Sequence, residues 1–269
     1  MHTITVANTK GGVGKSTTVR NLATALHDLG NKVLIIDSDP QGSITSSFGI
    51  DKKELKDTIF TMMNQVIDDA PVKDATIKLE NGISLLPTNL NLAAMDAKLV
   101  MVNFGREMVL ADALEQISMD YDYCIVDTYG SLGMLMTNAL MISDEVIIPV
   151  TPDRDCQDGL DQFIGFLESS FARMRKGGKN VEIGGLLFTN VEQRTRIAKD
   201  YKDIIRREYG GKYNIYETEL SHSQVVKKAS DKYQAVSEYV KNAAEDKTAQ
   251  EFKSLAEEIT FGCSRSRVL

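Results

Sequence analysis

The stretch Val6–Thr18, reading VANTKGGVGKSTT, constrains the fold of this chain more than any other. An apolar run, Ile4–Ala7, leads into a glycine-rich turn. Lys15 and Ser16 then open a helical repeat carried by Val19, Leu22, Ala23 and Leu26. Strand, glycine loop and helix in that order make a phosphate cradle. The glycines leave backbone N–H groups free to point at phosphate oxygens, and the helix N-terminus adds partial positive charge. In such a loop the lysine at Lys15 reaches the β- and γ-phosphates and the Ser16 hydroxyl ligates Mg²⁺. The pattern G-x-x-x-x-G-K-[ST] is met at Gly14, Lys15 and Ser16, but its first glycine falls on Thr9, and Lys10 stands before Gly11 and Gly12. A turn that only joined a strand to a helix would need neither the two lysines nor the Ser-Thr pair.

The rest of the chain repeats the alternation. Short β-rich runs at Ile4–Ala7, Lys32–Asp37, Ile83–Pro87, Tyr123–Asp127, Glu145–Val150 and Ile183–Thr189 are separated by helical patterns. The helices are expected near Lys15–Leu29, Lys52–Gln65, Arg106–Ser118, Leu132–Ile142, Gln157–Arg175 and Thr195–Tyr209, with Ser230–Asn242 and Ala249–Ile259 closing the chain. This order predicts an α/β fold with a doubly wound, mostly parallel sheet flanked by helices. Neither a repeat nor a Pro/Ser-rich linker divides it, so residues 1–261 read as one P-loop domain and 262–269 as a flexible C-terminal tail. The acidic stretch Asp51–Asp74 reads as a helical insertion covering the nucleotide edge.

Several classes are set aside by what the chain lacks. No apolar run approaches the roughly 20 residues that span a bilayer, and the N-terminus has no signal pattern, so a cytoplasmic protein without a membrane partner is expected. Cys124, Cys156 and Cys263 are widely spaced, and His2, His27 and His222 are scattered, which supports neither a disulfide framework nor a zinc site. Cys124 lies in an apolar run and reads as a small core residue. The net charge of −7 argues against a surface that binds nucleic acid everywhere. The charge is uneven, however: Phe171–Lys228 holds 13 Lys+Arg against 7 Asp+Glu. That excess is either a local basic surface or a set of solvated helix faces.

Two carboxylate clusters follow strands. Val33–Ile36 leads to Asp37, Ser38, Asp39, Pro40, Gln41 and Gly42, and YDYCIVD at Tyr121–Asp127 is an apolar strand ending in an aspartate. Carboxylates at the C-terminal ends of parallel strands stand where open α/β sheets bind ligands. Asp127 has the form of a Walker B aspartate, which holds Mg²⁺ through water and offsets charge on the β- and γ-phosphates.

The variant K-G-G-V-G-K-[ST]-T at Lys10–Thr17, with D-x-D-P-Q-G at Asp37–Gly42, resembles the ParA/MinD family of deviant Walker A ATPases, and among them the ParA/Soj-type partition ATPases. Asn138-Ala139-Leu140, Pro149-Val150-Thr151-Pro152 and Asp158-Gly159-Leu160 keep the family's rhythm, and the likeness reaches to about Phe261. The resemblance implies an ATP and Mg²⁺ site built from Lys10, Gly11, Gly12, Val13, Gly14, Lys15, Ser16 and Thr17. It implies that Asp39 orients the attacking water or helps hold hydrated Mg²⁺, with Asp37 structural or one shell removed. Ser16, Asp39 and Asp127 become the metal-side residues, and Lys10, Lys15 and Asp39 the catalytic ones. Lys10 is expected to reach across a nucleotide-sandwich homodimer to the partner's ATP, as an arginine finger does in other NTPases. Asn190, at a strand end, is either an adenine contact or a turn-forming residue.

Family members continue the second switch as Asp-x-Pro-Pro-Ser-Leu-Gly, whereas this chain has Asp127-Thr128-Tyr129-Gly130-Ser131-Leu132-Gly133. The missing prolines imply a more flexible switch, which bears on hydrolysis rate and shape change rather than on Mg–ATP binding. Partition ATPases of this type bind DNA non-specifically through basic residues of the C-terminal half. Here Arg194, Arg196, Lys199, Lys227 and Lys228 are the candidates, ahead of Arg173, Arg175 and Lys176. Glu217-Thr218-Glu219 stands where the family often carries an arginine.

The resemblance therefore implies a Mg²⁺-dependent ATPase that dimerises on ATP, binds DNA and acts in plasmid or chromosome partition, with slow turnover raised by a ParB-like partner. A MinD-like switch at a membrane would call for a basic amphipathic C-terminal helix, yet Ala249–Ile259 carries Glu251, Glu257 and Glu258 against Lys253. A metallocluster carrier like nitrogenase iron protein would need paired cysteines. A slow-hydrolysing, ATP-gated scaffold is the remaining alternative.

Overall fold

The carboxyl ends of three neighbouring strands converge on one edge of the sheet, and that convergence organises the molecule. The computed structural model describes residues 1–117, 120–154, 156–193 and 195–266, without the side chains of Asp158 and 262–266. Its seven-stranded sheet runs β3 (Ile77–Lys78), β4 (Ser84–Leu86), β2 (Val33–Ser38), β5 (Tyr123–Thr128), β1 (His2–Val6), β6 (Glu145–Val150) and β7 (Glu182–Phe188). All pairings in it are parallel except that of β3 with β4. The central strands read as continuous apolar runs because helices cover both faces.

Side-chain alternation sorts each strand between two cores. Ile35 and Ile125 face α1 (Lys15–Asp28) and α11 (Lys247–Ser266), where Leu22, Leu26, Phe252 and Leu255 are buried. Leu34, Ile36, Cys124 and Val126 face the other way, onto α3 (Ile59–Ile67), α4 (Met95–Met101), α5 (Val109–Leu114) and α6 (Met134–Ile142). A third cluster under β6 and β7 is closed by α7 (Cys156–Lys176) and α8 (Arg196–Tyr209), with Phe163 and Phe188 at its centre. Each such side chain contributes about 1.5–3 kcal/mol when withdrawn from water.

The doubly wound expectation is met, with corrections in the helices. The pattern at Lys52–Gln65 becomes α3 at Ile59–Ile67, because Thr61 Oγ1 accepts from Thr58 N at 2.8 Å and ends the turn before it. Its Ile59, Met62 and Met63 are fully buried in the core, while Lys52 Nζ donates to Gln41 O, so only the start of Asp51–Asp74 lies against the acidic turn at the nucleotide edge. Arg106–Ser118 shortens to α5, Ser118 lying outside the described residues. The predicted helix Ser230–Asn242 is two short helices instead, α9 (Gln224–Ser230) and α10 (Val236–Tyr239). Ser223 Oγ caps α9 by accepting from Val225 N, and the chain breaks where Tyr233 takes φ 58° and Gln234 N returns to Ala229 O at 3.0 Å. Short elements without a full periodic face were not legible in advance: α2 (Ser43–Ser47), the 3₁₀ turn Leu90–Ala94, α4 and the edge strand β3. Helix α11 continues to Ser266, past Phe261, and residues 267–269 lie outside the described residues.

Candidate nucleotide site

Strand register builds the site. Asp127 is paired with Val6 on one side and with Asp37 on the other, so the glycine loop after β1, the acidic turn after β2 and the end of β5 share one edge. Gly12 and Gly14 adopt left-handed φ of 73° and 82°, and Gly14 is the N-cap residue of α1. A side chain in that conformation is strained, which is the physical reason for glycine at both positions. The loop is pinned from β7, since Thr189 Oγ1 donates to Val13 O at 2.8 Å and Asn190 Nδ2 to Gly12 O at 3.1 Å. From β6, Pro149 O accepts from Asn8 Nδ2 at 2.7 Å while Asn8 Oδ1 accepts from Lys10 N at 2.9 Å.

Ser16 Oγ donates to Asp127 Oδ2 at 2.6 Å. Asp127 is fully buried, and its Oδ1 has no partner among the described residues. Burial raises its pKa well above the usual carboxylate range, the nearby Asp37 adds to this, and the Ser16 hydrogen bond opposes it. Asp37 is also fully buried and is raised to about 6, chiefly by desolvation. Its Oδ2 accepts from Thr45 N at 2.8 Å and from Thr45 Oγ1 at 2.6 Å, so Asp37 ties the acidic turn to α2. Asp39 Oδ1 accepts from Gln41 N at 2.8 Å, and Asp39 lines the cavity in front of the loop. An orphaned carboxylate oxygen beside a hydroxyl is a hard-oxygen arrangement that suits Mg²⁺. Among the described residues no group of three or more His, Cys, Asp or Glu could hold a metal alone. Ser16 and Asp127 would therefore hold Mg²⁺ jointly with phosphate oxygens and water.

Lys15 Nζ donates to Lys10 O at 3.3 Å; burial lowers its pKa, while Asp127 and Asp39 act to raise it. Lys10 turns away from the cavity floor, its Nζ lying 2.6 and 2.7 Å from the two carboxylate oxygens of Asp153. Gly130 lies against the loop, where an added Cβ would come within 3.0 Å of Thr9 O. In front of these residues opens a cavity of about 710 Å³, lined among others by Gly14, Lys15, Asp39, Tyr129 and Asn190.

The basic candidates divide. Arg196 and Lys199 are exposed near the start of α8, with Arg196 Nε 3.9 Å from Asp200, and Lys227 and Lys228 are exposed on α9. Arg194 lies outside the described residues. Further along α8, Lys202 and Arg206 both pair with Glu219, at 2.7 and 2.8 Å.

Three residues around the site carry no sequence signal of their own. Asp153 and Thr189 sit in connecting segments whose partners are more than a hundred residues away. Arg20 occupies a position on α1 that a helical pattern leaves free for any residue; it is only 4% exposed, and it lines the same cavity.

Comparison with known proteins agrees with this geometry. A family model described as an AAA domain, AAA_31, matches residues 1–177. The sporulation initiation inhibitor protein Soj of Bacillus subtilis is 34% identical over 217 residues, spanning 80% of this chain and 82% of Soj. A plasmid partition protein of Borrelia burgdorferi bound to AMPPNP superposes with a TM-score of 0.76 at 27% identity, covering 97% of this chain and 99% of that one. Cobyrinic acid a,c-diamide synthase of Mycobacterium smegmatis, with an ATP analogue and magnesium bound, superposes at 0.78 and 27% identity, covering 96% and 93%. Loop, strand-end carboxylates and relatives together place the chain in the ParA/MinD-type AAA_31 family of P-loop ATPases.

Proposed function

We propose that the chain is a Mg²⁺-dependent ATPase of the ParA type that closes into a nucleotide-sandwich homodimer on ATP and binds DNA without sequence preference. Its task is plasmid or chromosome partition, with a ParB-like protein raising a slow turnover. The observation that carries the nucleotide part is the Ser16–Asp127 pair at 2.6 Å with Asp127 Oδ1 left over, beside Lys15. Bound there, Mg²⁺ would neutralise charge on the β- and γ-phosphates. Lys15 would supply a fixed cation, the Gly12–Gly14 backbone N–H donors, and Asp39, which lines the cavity, would accept a hydrogen bond from the attacking water. No covalent nucleophile is needed, because phosphoryl transfer to water depends on positioning and charge stabilisation.

The partition reading is supported by the likeness to Soj and to the Borrelia protein, and by exposed Arg196, Lys199, Lys227 and Lys228. The diamide synthase shows that the nucleotide site alone does not select it. DNA retention measured at low and moderate salt with ATP, with ADP and without nucleotide tests the reading. Retention that requires ATP and weakens steeply with salt is expected. Retention independent of nucleotide, or none with ATP, sinks the DNA part of the proposal.

A further inference from the structure

Arg20 lines the nucleotide cavity together with Lys15, Ser43, Ser47 and Ser230. It is 4% exposed, and its Nε, Nη1 and Nη2 are all buried without a hydrogen-bond partner among the described residues. Its guanidinium carbon lies 4.8 Å from the centre of the Phe48 ring, a contact that satisfies charge but none of the N–H groups. Glu238 is the carboxylate whose field it feels, but Glu238 is committed elsewhere, accepting from Ala235 N at 2.7 Å and from Asn81 Nδ2 at 2.8 Å. Burial lowers the Arg20 pKa to about 10, which leaves it charged at neutral pH. A buried, charged guanidinium with no acceptor is costly, and most buried polar groups are paired.

We propose that Arg20 anchors a second oxyanion site in the nucleotide cavity, which takes inorganic phosphate beside the bound nucleotide. Its place on α1 selects the ligand. Ser16 and Arg20 are four residues apart, so they share one face of the helix about 6 Å apart along its axis. A phosphate leaving the Lys15–Ser16 end therefore meets Arg20 one turn further on. The planar guanidinium fork matches phosphate oxygens bidentately, and the lining Ser43 and Ser230 supply hydroxyls. The choice of phosphate rests on the ATPase reading, because hydrolysis at this loop yields phosphate in this cavity. Since the guanidinium nitrogens are closed to solvent, the side chain swings off the Phe48 ring to engage the anion.

Arg20→Met tests this while keeping an apolar stem against Phe48. With the loop filled by AMPPNP and Mg²⁺, calorimetric titration of inorganic phosphate is expected to find one site in the wild type, weakened at least tenfold in Arg20→Met. AMPPNP affinity should stay within threefold. In phosphate-free buffer Arg20→Met should melt no lower than the wild type, and added phosphate should raise the Tm of the wild type alone. Equal phosphate binding by both proteins, or by neither, overturns the proposal. So does a loss of AMPPNP affinity in step with phosphate, which would put Arg20 on the nucleotide itself. If the wild type failed to bind AMPPNP, the ATPase reading would fail first and be seen to do so separately.

Discussion

Lys10 Nζ contacts both carboxylate oxygens of Asp153, at 2.6 and 2.7 Å, so the lysine that distinguishes this glycine loop is held within its own subunit. A residue that completes a partner's site must first leave such a contact. The pair is partly exposed, with 29% and 43% of the side-chain surfaces accessible, and screening limits its strength.

Replacing Asp153 with Asn should therefore favour the proposed ATP-bound dimer only modestly. A pair of this exposure is worth about 0.5–1 kcal/mol, or about two- to fivefold for each of the two subunits that must release it. Light scattering across a concentration series with AMPPNP would read the shift. A dimer weakened by Asp153→Asn would mean that Asp153 serves the interface rather than the resting subunit.

The glycines of the loop should separate by role. Nothing lies within 4 Å of a Cβ added at Gly11, and its φ is not left-handed, so Gly11→Ala should fold normally and bind nucleotide. If the proposed homodimer forms at this loop, the cost of Gly11→Ala should appear in dimerisation. Gly14→Ala forces a side chain into φ 82° and should cost about 1–2 kcal/mol, seen as a lower Tm and weaker nucleotide binding. Equal behaviour of the two variants in both assays would remove the distinction.

Buried Asp37 gives a pH dependence whose sign can be worked out. Its pKa in the fold, about 6, lies above the usual carboxylate value, so the folded state prefers the protonated form. That contribution is fully present below about pH 4 and is lost as pH rises through 6, at most about 1.4 kcal/mol per pH unit. Asp37→Asn keeps an acceptor for Thr45 but does not titrate. Relative to this variant, the nucleotide-free wild type should lose stability between pH 4 and 7 in denaturant melts. Parallel profiles would show that Asp37 does not titrate in this range.

Charge reversal on α8 tests the proposed DNA surface. Arg196 and Lys199 are exposed and on the same face, so Arg196→Glu with Lys199→Glu should weaken DNA retention. The slope of log affinity against log salt should fall by about 2, one per phosphate contact removed. An unchanged slope moves the surface elsewhere, with Lys227 and Lys228 on α9 as the next pair to reverse.

Much of this architecture is local chemistry written along the chain. Glycines at 11, 12 and 14 before Lys15-Ser16 announce a loop that opens a helix, and Val33–Ile36 and Cys124–Val126 announce buried strands, because both-face burial requires unbroken apolar runs. Helices without strong periodicity are not legible where a cap overrides propensity, as at Thr61 and Ser223, or where one residue in the left-handed region, Tyr233, breaks the turn.

The sequence by itself determined which residues could cradle phosphate and that a parallel sheet would carry them, since motif spacing and periodicity are properties of neighbours along the chain. Only the tertiary structure decided that Asp127 sits between Val6 and Asp37 with one oxygen on Ser16 and the other unpaired. The same holds for Lys10, which rests on Asp153, and for Arg20, which is buried without an acceptor. Strand order and helix rotation set these relations, and they join residues far apart in the chain, 143 positions in the case of Lys10 and Asp153. Distance along the chain carries no information about such contacts; packing does.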